Sequence, residues 1–150
     1  RLRAPPATRA PGRLVSYLLD TNVISELRKG RRANAAVLRW FAEVDDEALR
    51  LSVLVIGELR QGAARVRRRD PTSARRLDRW IETLITDFDD RILAVDREIA
   101  ERWGTLNVPD PRPAIDGLLA ATALVHDLTL VTRNGKDVAS TGVRLFDPFA

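Results

Sequence analysis

Four carboxylates carry the most chemical content in this chain: Asp20 after Tyr17-Leu18-Leu19, Glu58 in Ile56-Gly57-Glu58-Leu59, Asp116 in Ala114-Ile115-Asp116-Gly117-Leu118-Leu119, and Asp137 after Asn134-Gly135-Lys136. Each sits at the edge of, or inside, an apolar segment. An isolated carboxylate in a low-dielectric setting is strongly penalised or neutralised, so several acids in such places point to one shared cation. The chain has no cysteine and one histidine, which excludes disulfides and thiolate sites and argues against a zinc site of the nitrogen and sulfur type. A metal here must be held by oxygen, as hard divalent ions prefer.

Each acid also has an ordinary structural reading. Asp20 can cap a helix beginning near Asn22, Glu58 can be a solvated helical charge, and Asp137 can shape the Asn134-Gly135 turn. Asp116 fits such a reading least, because Ile115, Leu118, Leu119, Ala120 and Ala121 surround it. Asp87, Asp89 and Asp90 form a rival acidic group, but their place between a helix and a strand reads as a solvated loop. His126 closes a helix, where the negative dipole end favours it, and has no partner that would make it catalytic.

The elements that must position these acids follow from the apolar pattern. A length of 150 residues with 45% hydrophobic content suits one core and one domain. Residues 1–15 carry prolines, alanines and arginines without apolar periodicity, and are expected to be a flexible basic tail ahead of a domain spanning 16–150. The chain has no methionine, and a start near Leu14 to Ser16 would suit a non-ATG codon. From Ser16 onward short apolar runs alternate with helical patterns, which predicts an α/β fold with a mostly parallel five-stranded sheet flanked by helices in three layers. The expected strands are Tyr17 to Leu19, Arg50 to Val53, Ile92 to Val95, Leu128 to Thr132 and Val143 to Phe146.

Asp70-Pro71 and Asp96 are helix starts, Pro109, Pro111 and Pro113 mark a loop, and Ala114 to Val125 forms an almost wholly apolar helix with Asp116 in its first turn. Asp20 and the segment from Thr132 to Asn134 then fall at carboxyl ends of strands, outside which open α/β sheets bind their ligands. No stretch is long and apolar enough to span a bilayer, so no membrane association and a soluble, cytoplasmic location are expected.

The net charge of +4 is unevenly spread. Residues 60–79 carry eight arginines against Asp70 and Asp78, so an acidic body is joined to an arginine-rich surface that would suit a polyanion. Arginine runs on helices are also commonly just solvated faces. Trp40, Trp80 and Trp103 lie on apolar helix faces; Trp40 with Val37, Leu38 and Phe41 is expected to form an exposed apolar surface suited to a partner.

Four blocks in order, Leu18-Leu19-Asp20-Thr21-Asn22, Gly57-Glu58-Leu59, Asp116-Gly117-Leu118-Leu119-Ala120-Ala121, and Leu130-Val131-Thr132-Arg133-Asn134 with Asp137, resemble the PIN-domain ribonucleases and, among them, the VapC-type toxins of bacterial toxin–antitoxin pairs. The resemblance runs across residues 17–147. It implies that Asp20, Glu58 and Asp116 form the centre of a Mg2+ site, with Mn2+ a possible substitute, and that Asp137 is the less uniform fourth acid. Thr132 and Asn134 match polar positions beside the cofactor, and Thr21 and Asn22 flank the first acid. Relatives usually carry an aromatic after the fourth acid where this chain has Val138, which leaves Asp137 open as an outer or water-holding residue. The implied activity is metal-dependent endoribonucleolytic cleavage of RNA, leaving 5′-phosphate and 3′-hydroxyl ends. The implied partners are RNA, a small cognate antitoxin and a second copy of the chain in a homodimer. The residue types suit that chemistry on their own account, since phosphodiester hydrolysis needs an activated water and offset phosphate charge, and hard divalent ions supply both.

Rival functions fit less well. A haloacid-dehalogenase-like phosphatase wants a second Asp where Asn22 stands, and a receiver domain wants an acceptor Asp at a central strand and a Lys after the last one. A non-catalytic RNA-binding or antitoxin-binding module would keep the arginines but tolerate loss of the acids.

Overall fold

The computed structural model describes the backbone of residues 9–10 and 13–150, and side chains from Val15 onward. The expected tail falls largely outside the described residues. Within its span β1 (Arg9–Ala10) and β2 (Arg13–Leu14) pair antiparallel. The main sheet consists of β3 (Tyr17–Leu19), β4 (Leu49–Ser52), β5 (Ile92–Leu93), β6 (Thr129–Val131) and β7 (Leu145–Phe146), all parallel, in the order β5-β4-β3-β6-β7. It is flanked by α1 (Thr21–Leu27), α2 (Ala35–Glu43), α3 (Val53–Arg67), α4 (Pro71–Phe88), α5 (Arg97–Leu106) and α6 (Ala114–His126). The α/β class with a parallel five-stranded sheet is as the apolar pattern predicts.

The strands are short, and burial rather than strand length holds them. Leu18 and Leu19 of β3, Leu49 and Leu51 of β4, and Leu130 and Val131 of β6 join Val23, Ile24, Val55, Leu59, Ile81 and Leu119 from the helices in one core. A fully buried side chain of this kind contributes roughly 1.5–3 kcal/mol. Local chemistry then sets the helix starts. Asp70 accepts from the Ser73 N–H with Pro71 in the first turn, and Asp96 accepts from the Ile99 N–H. The strands β5, β6 and β7 are shorter than expected, at Ile92–Leu93, Thr129–Val131 and Leu145–Phe146. Val53 opens α3 instead of ending β4, because the buried Ser52 hydroxyl accepts from the Leu54 N–H and caps the helix there. The cap outweighs the β preference of Val53 and Val55.

The sheet order places the reversal of direction between β3 and β6. From β3 the chain steps outward through β4 and β5, then returns to lay β6 against the other side of β3. The carboxyl ends of β3 and β6 flank a topological switch point, where α/β sheets form their binding crevice. Asp20 and Thr132 are the residues directly after those two strands.

The exposed apolar surface expected around Trp40 is not formed as such. Val37 is wholly buried, and Trp40 packs edge-on against Tyr17 at 5.4 Å between ring centroids and against Phe146 at 5.5 Å. The turn of α2 that carries both residues is drawn onto the sheet, which buries Val37 and leaves Leu38, Trp40 and Phe41 half-buried. Among the described residues the large apolar side chains left exposed are Val53, Val108, Leu145 and Phe146. Asp87, Asp89 and Asp90 are all exposed, in keeping with a solvated group. No helix among the described residues is long and apolar enough to cross a membrane.

Candidate metal centre

Asp20 sits at the start of α1 with both carboxylate oxygens engaged. Oδ1 accepts from the Thr21 N–H at 2.7 Å, which is the cap expected of it, and Oδ2 accepts from the Thr132 hydroxyl at 2.7 Å. The side chain is only 9% exposed. The cap reading is realised, and the Thr132 hydroxyl holds the same acid at the crevice. Thr132 is itself saturated, donating to Asp20 and accepting from the Asn134 N–H at 3.1 Å and the Asn22 Nδ2 at 3.3 Å. Asn22 closes the ring by accepting from the Arg133 N–H at 3.3 Å.

That ring makes a prediction. Thr132→Val keeps the side-chain shape but takes from Asp20 Oδ2 its short hydroxyl donor, leaving only Asn22 Nδ2 at 3.4 Å on that oxygen, and a hydrogen bond to a charged group is worth about 1.5–3 kcal/mol. Urea denaturation should show a loss of that order, while Thr132→Ser should restore most of it. Equal stability of the Val variant and the native chain would mean that Asp20 does not depend on Thr132.

Asp116 lies in the first turn of α6, where the helix dipole tolerates negative charge. Its neighbour Gly117 allows α5 and α6 to approach closely: a Cβ there would stand 3.1 Å from the ring of Trp103. The Asp116 carboxyl is held above its usual range, first by burial and then by the charges of Asp20, Asp137 and Glu58, in that order. No donor among the described residues reaches the Asp116 carboxylate. The acid that least suited an ordinary reading from sequence thus feels all three of the others.

Asp20, Asp116, Thr132 and Asn134 line one crevice, with Leu119, Leu130 and Val138 as its apolar walls. Glu58 stands on α3 and accepts from the Thr21 hydroxyl at 2.5 Å. Asp137 is exposed at the end of a short 3-10 turn. These two border the crevice through their charge rather than by forming its walls. No three acids among the described residues are gathered into a closed ligand cluster. The donor chemistry nonetheless suits a hard divalent cation, since every charged group that Asp116 senses is a carboxylate and the polar groups beside it are hydroxyl and amide. The structure adds partners that sequence reasoning did not supply. Thr21 turns Glu58 across 37 residues, and Asn22 bridges Asp20 to the β6 end across 110. Both stand directly after Asp20, but only the fold reveals whom they meet.

The family model described as PIN domain matches residues 17–142. The chain is 31% identical over 137 residues to toxin FitB of Neisseria gonorrhoeae, covering 88% of this chain and 97% of that protein. The solved structure of FitAcB from the same organism superposes with a TM-score of 0.81 at 31% identity, over 89% of this chain and 98% of that one. A VapC ribonuclease of Sinorhizobium fredii, Y4jK, is 30% identical over 140 residues, covering 88% and 96%. A chain of a toxin–antitoxin complex from Klebsiella pneumoniae matches with a TM-score of 0.64 at 27% identity, over 89% and 98%. With the family match spanning four of the five main-sheet strands and all four acids, the chain belongs to the PIN domain family.

Proposed function

We propose that this protein is the toxin of a type II toxin–antitoxin pair and acts as a metal-dependent endoribonuclease that hydrolyses RNA phosphodiester bonds. The observation that carries the reading is the Asp116 carboxyl at the crevice beside Asp20, a half-buried acid raised first by its partial desolvation and then by the charges of three other acids that the sequence scatters over residues 20–137. A fold gains nothing from crowding four carboxylates unless a cation offsets them. Relatives named as a toxin and as a VapC ribonuclease, each matching about nine-tenths of this chain, support the activity class.

In this reading Asp20, Glu58, Asp116 and Asp137 hold Mg2+ or Mn2+, with Thr132 and Asn134 beside them. A bound divalent ion would supply an acidified water and offset charge on the scissile phosphate. The residues themselves do the positioning. Thr132 and the Thr21 N–H fix Asp20, the Thr21 hydroxyl sets the orientation of Glu58, and Leu119, Leu130 and Val138 keep bulk water from the inner wall. Asp137, exposed at the mouth, suits the outer position. The expected partners are RNA, a small antitoxin and a second copy of the chain; the toxin–antitoxin complex among the matched structures supports the second.

The test is to incubate purified protein with total cellular RNA in magnesium, in manganese and in chelator, and to sequence the new ends. Discrete new 5′-phosphate ends that depend on metal are expected. Intact RNA in every condition, together with tight RNA or antitoxin binding, would favour the non-catalytic module instead.

A further inference from the structure

The arginine-rich hairpin formed by α3 and α4 has two unlike flanks. Arg60 bonds Asp78 at 3.1 Å and also Glu82, and Arg67 bonds Asp78, so these two acids of α4 are spent on one flank of α3. The other flank carries Glu58. At 3.6 residues per turn, positions four, seven and eleven residues further on share its stripe to within about 40°. Those positions are Gly62, Arg65 and Arg69. The helical turn persists to Arg69, whose N–H donates to the Val66 carbonyl at 3.0 Å.

Arg65 and Arg69 are exposed and have no acidic partner among the described residues. Helical side chains lean toward the N-terminus, so both lean toward the Glu58 end. They stand about 10 Å and about 16 Å beyond Glu58 along the axis. Between them and Glu58 the stripe is bare: a Cβ on Gly62 would meet nothing within 4 Å.

We propose that this stripe is a phosphate track on which single-stranded RNA lies along α3, passing over Gly62 with its phosphates on Arg65 and Arg69. The identity of the strand rests on the ribonuclease reading; the track itself rests on the segregated charge. A separate cation beside an acidic cleft also resolves an electrostatic difficulty, since a polyanion must otherwise approach a pocket of its own sign.

The test measures binding of a labelled single-stranded RNA of about 20 nucleotides, enough to cover the site sizes of single-strand binders. Chelator is present to prevent cutting, and salt is varied. Each phosphate contact on a single strand contributes about 0.7 to the slope of log K against log salt. The double variant Arg65→Gln with Arg69→Gln should flatten the slope by about 1.4. The control, Arg75→Gln with Arg79→Gln on the exposed face of α4, should leave it unchanged. In metal-dependent cleavage the track variant should raise KM and leave kcat within about twofold, as for lost uniform binding. An unchanged slope, or an equal fall in both variants, overturns the track. If the native chain cuts RNA and the slope does not respond, the track fails and the ribonuclease reading stands. If the slope responds and no RNA is ever cut, the track stands and that reading fails.

Discussion

Replacing Asp116 by Asn should abolish metal-dependent RNA cleavage and relieve growth arrest in cells expressing the chain, with the fold intact. Loss of a partner that merely orients a metal ligand costs about 10–100-fold, so loss of a ligand at the centre of the site should exceed about 100-fold. Asp20→Asn should do the same for a separable reason. Asn is as good an N-cap as Asp, so the oxygen that accepts from the Thr21 N–H is retained and α1 still begins where it does. The charge is removed, and with it the second oxygen that accepts from the Thr132 hydroxyl. Single-turnover cleavage with circular dichroism as the fold control decides the matter. Full activity in either purified variant would remove both residues from the proposed machinery.

The second large effect is on stability, and its sign is opposite to that of an ordinary lesion. Asp116 holds its proton in the folded chain more tightly than the usual carboxyl value of 3.8, because of burial and then the charges of Asp20, Asp137 and Glu58. A raised folded-state value means that the folded state binds more protons, so the stabilising contribution is complete below 3.8 and is lost as pH rises through the raised value. Above that window the metal-free protein carries the repulsion in full. Asp116→Asn should therefore raise the metal-free melting temperature at neutral pH and flatten its pH dependence across the window. For the native chain, divalent metal at about a hundred times its dissociation constant should add about 2.7 kcal/mol, or roughly 5–10 °C for a domain of this size. The variant should lose most of that gain. A variant that melts lower without metal and responds fully to metal would make Asp116 a structural residue.

The sheet was legible in the sequence because its central strands β3, β4 and β6 are largely buried and read as short apolar runs bounded by polar residues. Tyr17 to Leu19 needs no adjustment, and the Asp70-Pro71 and Asp96 caps lie where side-chain chemistry puts them. Reading failed where two local preferences compete. Ser52 looks like a strand residue among β-branched neighbours, yet its hydroxyl starts α3. Val37 belongs to an amphipathic stretch whose buried side is set by what Trp40 meets, namely Tyr17 and Phe146, and neither is near in sequence. The site follows the same division. The acids were visible because negative charge beside apolar runs is costly wherever it occurs. Thr21 and Asn22 were visible only as neighbours of Asp20, since their roles depend on partners far along the chain. The arginine segment read as one block of charge, and only the pairing of Arg60 and Arg67 with Asp78 and Glu82 separates its two flanks.

The placement of β6 beside β3 has a consequence for how such a chain is made. Asp20 emerges early during synthesis, but the hydroxyl that secures it belongs to Thr132, 112 residues later. At about 5–20 residues per second, translation needs roughly 6–22 s to cover that interval. Throughout it the sheet lacks the strand that forms one wall of the crevice; Asp116 is made only near its end and Asp137 after it. Until Thr132 is made, Asp20 lacks both the hydroxyl and the neighbouring strand that hold it at the crevice in the finished fold, so the site is completed only by the last part of the chain.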